Sequence, residues 1–134
     1  MIDFCVLGSG IAGSTIANLL SKKYSVHVFD KARGAGGRSS NKKLKGNLSF
    51  DHGVQYISPK SKVFKKIIQK LSKKKILKTW DGNHLDFTFE KKTLNPKYIG
   101  VKANNALSKY YLKNILFMFL IKLEELEEDL PIKN

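Results

Sequence analysis

Gly8-Ser9-Gly10-Ile11-Ala12-Gly13 supplies the first residues with a chemical purpose. Three glycines at this spacing suit a strand that turns sharply into a helix above a phosphate. Gly8 permits the turn. Gly10 lets backbone come close to a pyrophosphate, and Gly13 lets helix and strand pack tightly. The free N–H groups of the first helical turn, at Ile11, Ala12 and Gly13, then face the phosphates with the positive end of the helix dipole. Asp30 lies 17 residues past Gly13. A carboxylate there, at the end of a second strand, can accept hydrogen bonds from a ribose hydroxyl pair. Lys31-Ala32-Arg33-Gly34-Ala35-Gly36-Gly37-Arg38 follows at once. Arg33 and Arg38 are the only arginines in a chain with 25 basic residues. A guanidinium fork suits phosphate and ribose oxygens better than an ammonium does. This second glycine-rich run favours FAD over NAD, because an ordinary NAD domain would be entering its next helix here. Asp30 also disfavours an NADP 2′-phosphate, although Lys31 or Arg33 can offset that charge.

These groups need a βαβ unit to hold them. Ile2–Leu7 reads as a fully buried parallel strand. Ile11, Ile16, Ala17, Leu19 and Leu20 give the helix its apolar positions, and Ser21-Lys22-Lys23 closes it. Val26–Asp30 is the second strand. Residues 31–48 read as an extended loop with one short helical turn near Arg38. Phe50–Ile57 reads as a strand interrupted at Gly53, a glycine that suggests a bulge or a close backbone approach to a ligand. Ser58 is the expected N-cap of a helix with Pro59 in its first turn. Val63, Phe64, Ile67, Ile68 and Leu71 form its apolar stripe, and its lysines form a solvated face. Ile76–Trp80 and Leu85–Glu90 read as strands joined through Asp81-Gly82-Asn83, with a break at Asn95-Pro96. Asn104 or Asn105 can cap a helix through Ala106, Leu107, Tyr110 and Tyr111. The apolar run Ile115–Ile121 reads either as an extension of that helix or as an isolated strand, and an acidic run, Glu124–Asp129, follows it.

At 134 residues the chain has the length of one domain, with a net charge of +14. The lysines are spread over the whole chain without arginine–aromatic interleaving, so no nucleic-acid partner is expected. Cys5 is alone and fits a reducing compartment, hence a cytoplasmic location. His27, His52 and His84 lack metal-ligand spacing, so no metal site is expected. The apolar run near the end is too short for a membrane span.

The chain resembles the N-terminal part of the renalase-like FAD-dependent oxidoreductases, relatives of the monoamine oxidases and phytoene desaturases. The broad likeness rests on Gly8–Gly13, Asp30 and Gly34–Arg38. The narrower one rests on Phe50–Tyr56, Trp80-Asp81-Gly82, Tyr98-Ile99-Gly100-Val101 and Asn105-Ala106-Leu107. It covers roughly residues 2–112. It implies an α/β fold: a Rossmann-like FAD-binding βαβ core, 1–58, and the start of a mixed α+β substrate region, 59–112. An atypical tail, 113–134, matches nothing in the family pattern. It implies that Gly8, Gly10 and Gly13 hold the pyrophosphate and that Arg33, Gly36, Gly37 and Arg38 run along the FAD. Asp30, where the family usually has glutamate, holds the adenosine ribose. The resemblance also implies that Gly53, Gln55 and Tyr56 lie near the flavin ring. The implied activity is hydride transfer from a reduced small molecule to flavin. Family members are more than twice this length, so the chain reads as a truncated member. The alternatives are a non-catalytic dinucleotide-binding fragment, half of a split enzyme with a separately encoded C-terminal partner, and an NAD(P)-binding Rossmann protein. No catalytic residue is assigned.

Overall fold

A computed structural model describes residues 1–81 and 96–119. The central sheet has three parallel strands in the order β1-β2-β7, with β1 Phe4–Leu7, β2 Val26–Asp30 and β7 Leu116–Phe119. Helix α1, Ile11–Leu20, joins β1 to β2, and α3, Ala106–Leu112, precedes β7. The fold is α/β and Rossmann-like. Between β2 and α3 the chain makes an excursion. It forms a 3-10 turn at Gly37–Ser39, the hairpin of β3 Asn41–Lys43 with β4 Ser49–Asp51, helix α2 Lys62–Lys73, and the antiparallel pair of β5 Leu77–Thr79 with β6 Tyr98–Gly100.

Side chains alternate across a strand, so one face of β2 carries Val26 and Val28 and the other His27 and Phe29. Val26 and Val28 are buried in a cluster with Ala17 and Leu112, which places α1 and α3 on that face. A second cluster, Ile57, Ile68, Leu71, Leu77 and Leu107, lies beneath α2. Asn18 Nδ2 donates to Tyr111 O at 3.1 Å and ties α1 to α3.

Five expectations are corrected. β1 is not fully buried: Phe4, Cys5 and Leu7 are exposed and Val6 is half-buried. Its helices cover a single face, and β1 is an edge strand among the described residues. Helix α2 does not begin at Ser58–Pro59. Ile57 exchanges both backbone hydrogen bonds with Tyr98, at 2.7 and 2.9 Å, and so stays extended. A residue before proline also disfavours helical geometry. Ser61 is the N-cap instead, its side chain accepting from Phe64 N at 3.1 Å. Val63 lies outside the apolar stripe, at 70% exposure. The stretch 31–48 is not all loop, since β3 forms within it. The run from Ile115 is neither a helix extension nor an isolated strand. It gives β7, which pairs with β2 and completes the sheet. Leu85–Glu90, Gly82-Asn83, Asn95 and Glu124–Asp129 lie outside the described residues.

The C-terminus of α2 stores strain. Lys75 has φ 56, the left-handed region where glycine normally sits. Ile76 N donates to Leu71 O at 3.0 Å and Lys75 N to Ser72 O at 2.9 Å, the two bonds of a Schellman motif. Ile76 then packs on the cluster that holds Leu71. Lys75→Gly keeps every bond and removes the Cβ penalty. It is expected to raise stability by about 1 kcal/mol, read as a higher denaturation midpoint.

Candidate functional site

β1 delivers the chain to Gly8, whose φ of 91 makes the turn and whose N–H donates to Phe29 O at 2.7 Å. Helix α1 then starts at Gly10 with no side-chain cap and no acidic residue in its first turn. The N–H groups of that turn are left for another acceptor. Gly13 is where the helix crosses the turn. A Cβ there would stand 1.9 Å from Gly8 O and 3.5 Å from Val6 Cγ1. A side chain there would therefore meet the turn's backbone and the β1 side chain at once.

The second glycine run comes back onto the first. Gly36 N donates to Ser9 O at 3.1 Å, and Gly10 and Gly36 form a parallel bridge. Gly36 has φ 136, and a Cβ there would lie 2.8 Å from Asn105 Cβ. Gly37 has φ 54, and its Cβ would lie 3.2 Å from Gly10 Cα. Arg38 follows in the 3-10 turn. Arg33 and Arg38 are exposed residues, and neither side chain makes a hydrogen bond or ion pair among the described residues.

Asp30 closes the group. Its Oδ2 accepts from both Ser9 N, at 2.6 Å, and Ser9 Oγ, and its Oδ1 accepts from Ala32 N at 2.8 Å. Partial burial pushes its pKa up. The Ser9 hydroxyl, the Ala32 and Ser9 N–H groups and the Lys31 charge outweigh that and hold the carboxyl below its ordinary value. The carboxylate is therefore ionised and already partly used. It fixes the glycine turn through fully buried Ser9 and keeps one acceptor direction free on Oδ1.

Gly53 packs closely against backbone. Its Cβ would lie 1.9 Å from Arg38 O, and Val54 N donates to the same oxygen at 2.8 Å. This contact ties the segment that leads into Gln55 and Tyr56 to the turn that carries Arg38. Both are exposed. Gln55 lines a cleft of about 550 Å³ with Trp80, and the Tyr56 and Trp80 ring centroids are 5.7 Å apart. Lys97 Nζ stands 4.2 Å from the Tyr56 centroid.

Asn104 and Asn105 are the residues that sequence reasoning underrated. Neither caps α3 through its side chain. Asn104 Oδ1 accepts from Gly100 N at 3.0 Å, and its Nδ2 donates to Val54 O at 2.7 Å and Gln55 O at 3.2 Å. Its backbone N–H donates to the Asp51 carboxylate at 3.1 Å. Asn105 Nδ2 donates to Ala35 O at 3.3 Å. Two buried amides thus brace both loops that flank the glycine turn. An Asn-Asn pair before a helix reads locally as a cap, and only the fold brings residues 35, 54 and 55 to it.

A family model described as "NAD(P)-binding Rossmann-like domain" matches residues 6–71, the span that runs from β1 through both glycine segments to α2. Among solved structures, the chain is similar to putrescine oxidase from a structure-based redesign of cofactor binding. A double mutant of that protein matches at 24% identity and a TM-score of 0.49, and the wild type bound to putrescine at 24% and 0.47. Each match covers 74% of this chain and 22% of the other, so the chain spans under a quarter of the length of these oxidases. No helix among the described residues is long and apolar enough to cross a membrane.

Proposed function

We propose that this chain binds FAD and forms the dinucleotide-holding part of a flavin-dependent oxidoreductase of renalase-like type. The observation that carries the reading is the bridge between Gly10 and Gly36 at the uncapped start of α1. It sets two glycine segments side by side and brings Arg38 to the same end of the sheet. The fit rests on this chain's own groups. The first-turn N–H groups of α1 would hold a pyrophosphate, and the free direction on Asp30 Oδ1 one ribose hydroxyl. Lys31, Arg33 and Arg38 would supply positive charge along the length of the cofactor. When bound, the flavin would supply hydride acceptance. Gln55 and Tyr56 would stand nearest its ring.

Hydride transfer also requires a substrate held at near-attack distance and shielded from water. The described residues give an open surface around the glycine segments, and one face of the sheet carries exposed Leu7 and Leu116. We therefore assign turnover to an assembly that includes further polypeptide, in the same protein or in a separate partner.

The test is to purify the chain, load it with FAD or NAD in parallel, and record the visible spectrum and retention after gel filtration. Retained FAD with an absorbance band in the visible region is expected, with little peroxide release from reduced nicotinamides or amines under oxygen. Retention of NAD with none of FAD would overturn the flavin assignment and favour a nicotinamide-binding Rossmann protein. Turnover of ~1 per second or faster, an ordinary enzyme rate, would show that no further polypeptide is needed.

A further inference from the structure

The helices leave a second site, lined on the α1 side by Thr15, Asn18, Leu19 and Lys22 and not by the glycines. Helix α1 packs on α3 and the sheet, whereas α2 packs on β5. Between α1 and α2 lies a cleft of about 320 Å³, within the size range of small-ligand sites. Tyr110 and Tyr111 of α3 line it together with Leu19, Ile67 and Leu71. Leu19 is 54% exposed there, an apolar residue on a helix whose neighbours Ala17 and Leu20 are covered. Lys22 and Lys70 also line the cleft. An adjoining hollow of about 350 Å³ shares Lys22 and both tyrosines and adds Lys113. Lys74 Nζ donates to Tyr110 Oη at 2.6 Å and fixes a further positive charge at this edge. Among the described residues, no acidic side chain lines either hollow.

The surroundings have the same sign. No Asp or Glu occurs between Asp51 and Asp81. At 100° per residue, Lys62, Lys65, Lys66, Lys70 and Lys73 of α2 fall within an arc of about 140°. All five are exposed. Like charges three and four residues apart destabilise a helix, and an anion beside them relieves that repulsion. An apolar trough with cations at its mouth asks for a ligand with the opposite pattern: an apolar body and an anionic end. A nucleic acid can place phosphates on the lysines and stack bases on the tyrosine rings, but it brings no hydrocarbon chain to Leu19 and Ile67.

We propose that this cleft binds a single-chain anionic amphiphile. The hydrocarbon lies on Leu19, Ile67 and the tyrosine rings, and the carboxylate or phosphate meets Lys22 and Lys70. The inference does not rest on the dinucleotide reading. The test uses the full chain and calorimetric titration with decanoate, decyl phosphate, decanol and inorganic phosphate. Both anionic amphiphiles are expected to bind, with decanol and inorganic phosphate each at least about tenfold weaker. The Lys22→Glu, Lys70→Glu double variant alters exposed positions and should keep its circular dichroism spectrum. It should weaken decyl phosphate by about tenfold or more and leave decanol unchanged. Inorganic phosphate binding as tightly as decyl phosphate would make the site a bare anion patch and overturn the proposal. So would decyl phosphate binding that ignores the double variant, or polyuridylate binding lost in that variant with no affinity for either amphiphile.

Discussion

Gly13→Val is expected to destabilise the chain by about 3 kcal/mol or more, at the upper end of overpacking costs. The reason is geometric. Its Cβ would stand 1.9 Å from Gly8 O and 3.0 Å from Gly8 C. Both are backbone atoms, and Gly8 is pinned by its 2.7 Å bond to Phe29 O. The clash therefore cannot be relieved by a rotamer change. Either α1 lifts off β1 or the Gly8 turn opens. Lifting α1 uncovers Ala17, Val26 and Val28, which form one cluster. Opening the turn breaks the contact of buried Ser9 with Asp30. Valine also adds a stiff β-branched side chain inside a helix. Gly13→Ala should cost less, because alanine recovers about 1 kcal/mol of helix propensity relative to glycine. Urea denaturation of the three proteins measures this. A Gly13→Val midpoint equal to that of the parent would mean that α1 does not sit on Gly8 as described.

How far the sequence foretold this arrangement depends on the range of each interaction. Val26–Asp30 and the Gly10 helix start were legible because their signals are local: a β-branched run ending on an acid, and glycines at fixed spacing. Arg38 in a short helical turn was legible for the same reason. The Leu116 strand was not. An apolar run of that length fits a helix extension or a lone strand equally well. Its role follows from the free edge of β2, to which only the folded chain brings it. The start of α2 was misplaced because Ser58-Pro59 is a good local helix signal. The pairing of Ile57 with Tyr98, 41 residues away, overrides it. Burial of β1 was overestimated on the same logic. Ile2–Leu7 has the composition of a strand covered on both faces, and the described residues cover one. At the site, the glycines and Asp30 were readable, yet the competition for the Asp30 carboxylate was not. Ser9 looks like a spacer between two glycines, and its two hydrogen bonds to Asp30 span 21 residues.

Gly10→Val should separate binding from folding in a way that Gly13→Val cannot. An added Cβ at Gly10 meets only Gly37 Cα, at 3.9 Å, and Gly10 has φ −64 and ψ −178, which any residue adopts. The backbone therefore has room for a Cβ there, and the denaturation midpoint should fall far less than that of Gly13→Val. The ligand does not have that room. In the proposed complex the side chain would stand beside Gly37, where a pyrophosphate would approach the first-turn N–H groups of α1. Displacing the phosphates from about two charge-assisted hydrogen bonds costs ~3 kcal/mol, or about a hundredfold in FAD affinity. Arg38→Ala should cost about 1.5–3 kcal/mol by the same measure, and Arg38→Lys should restore only part of it, since an ammonium lacks the planar fork. Fluorescence titration of FAD against the parent and the three variants tests both. Undiminished affinity in a folded Gly10→Val protein would move the dinucleotide away from the α1 terminus. It would leave the bridge between Gly10 and Gly36 as a structural clasp alone.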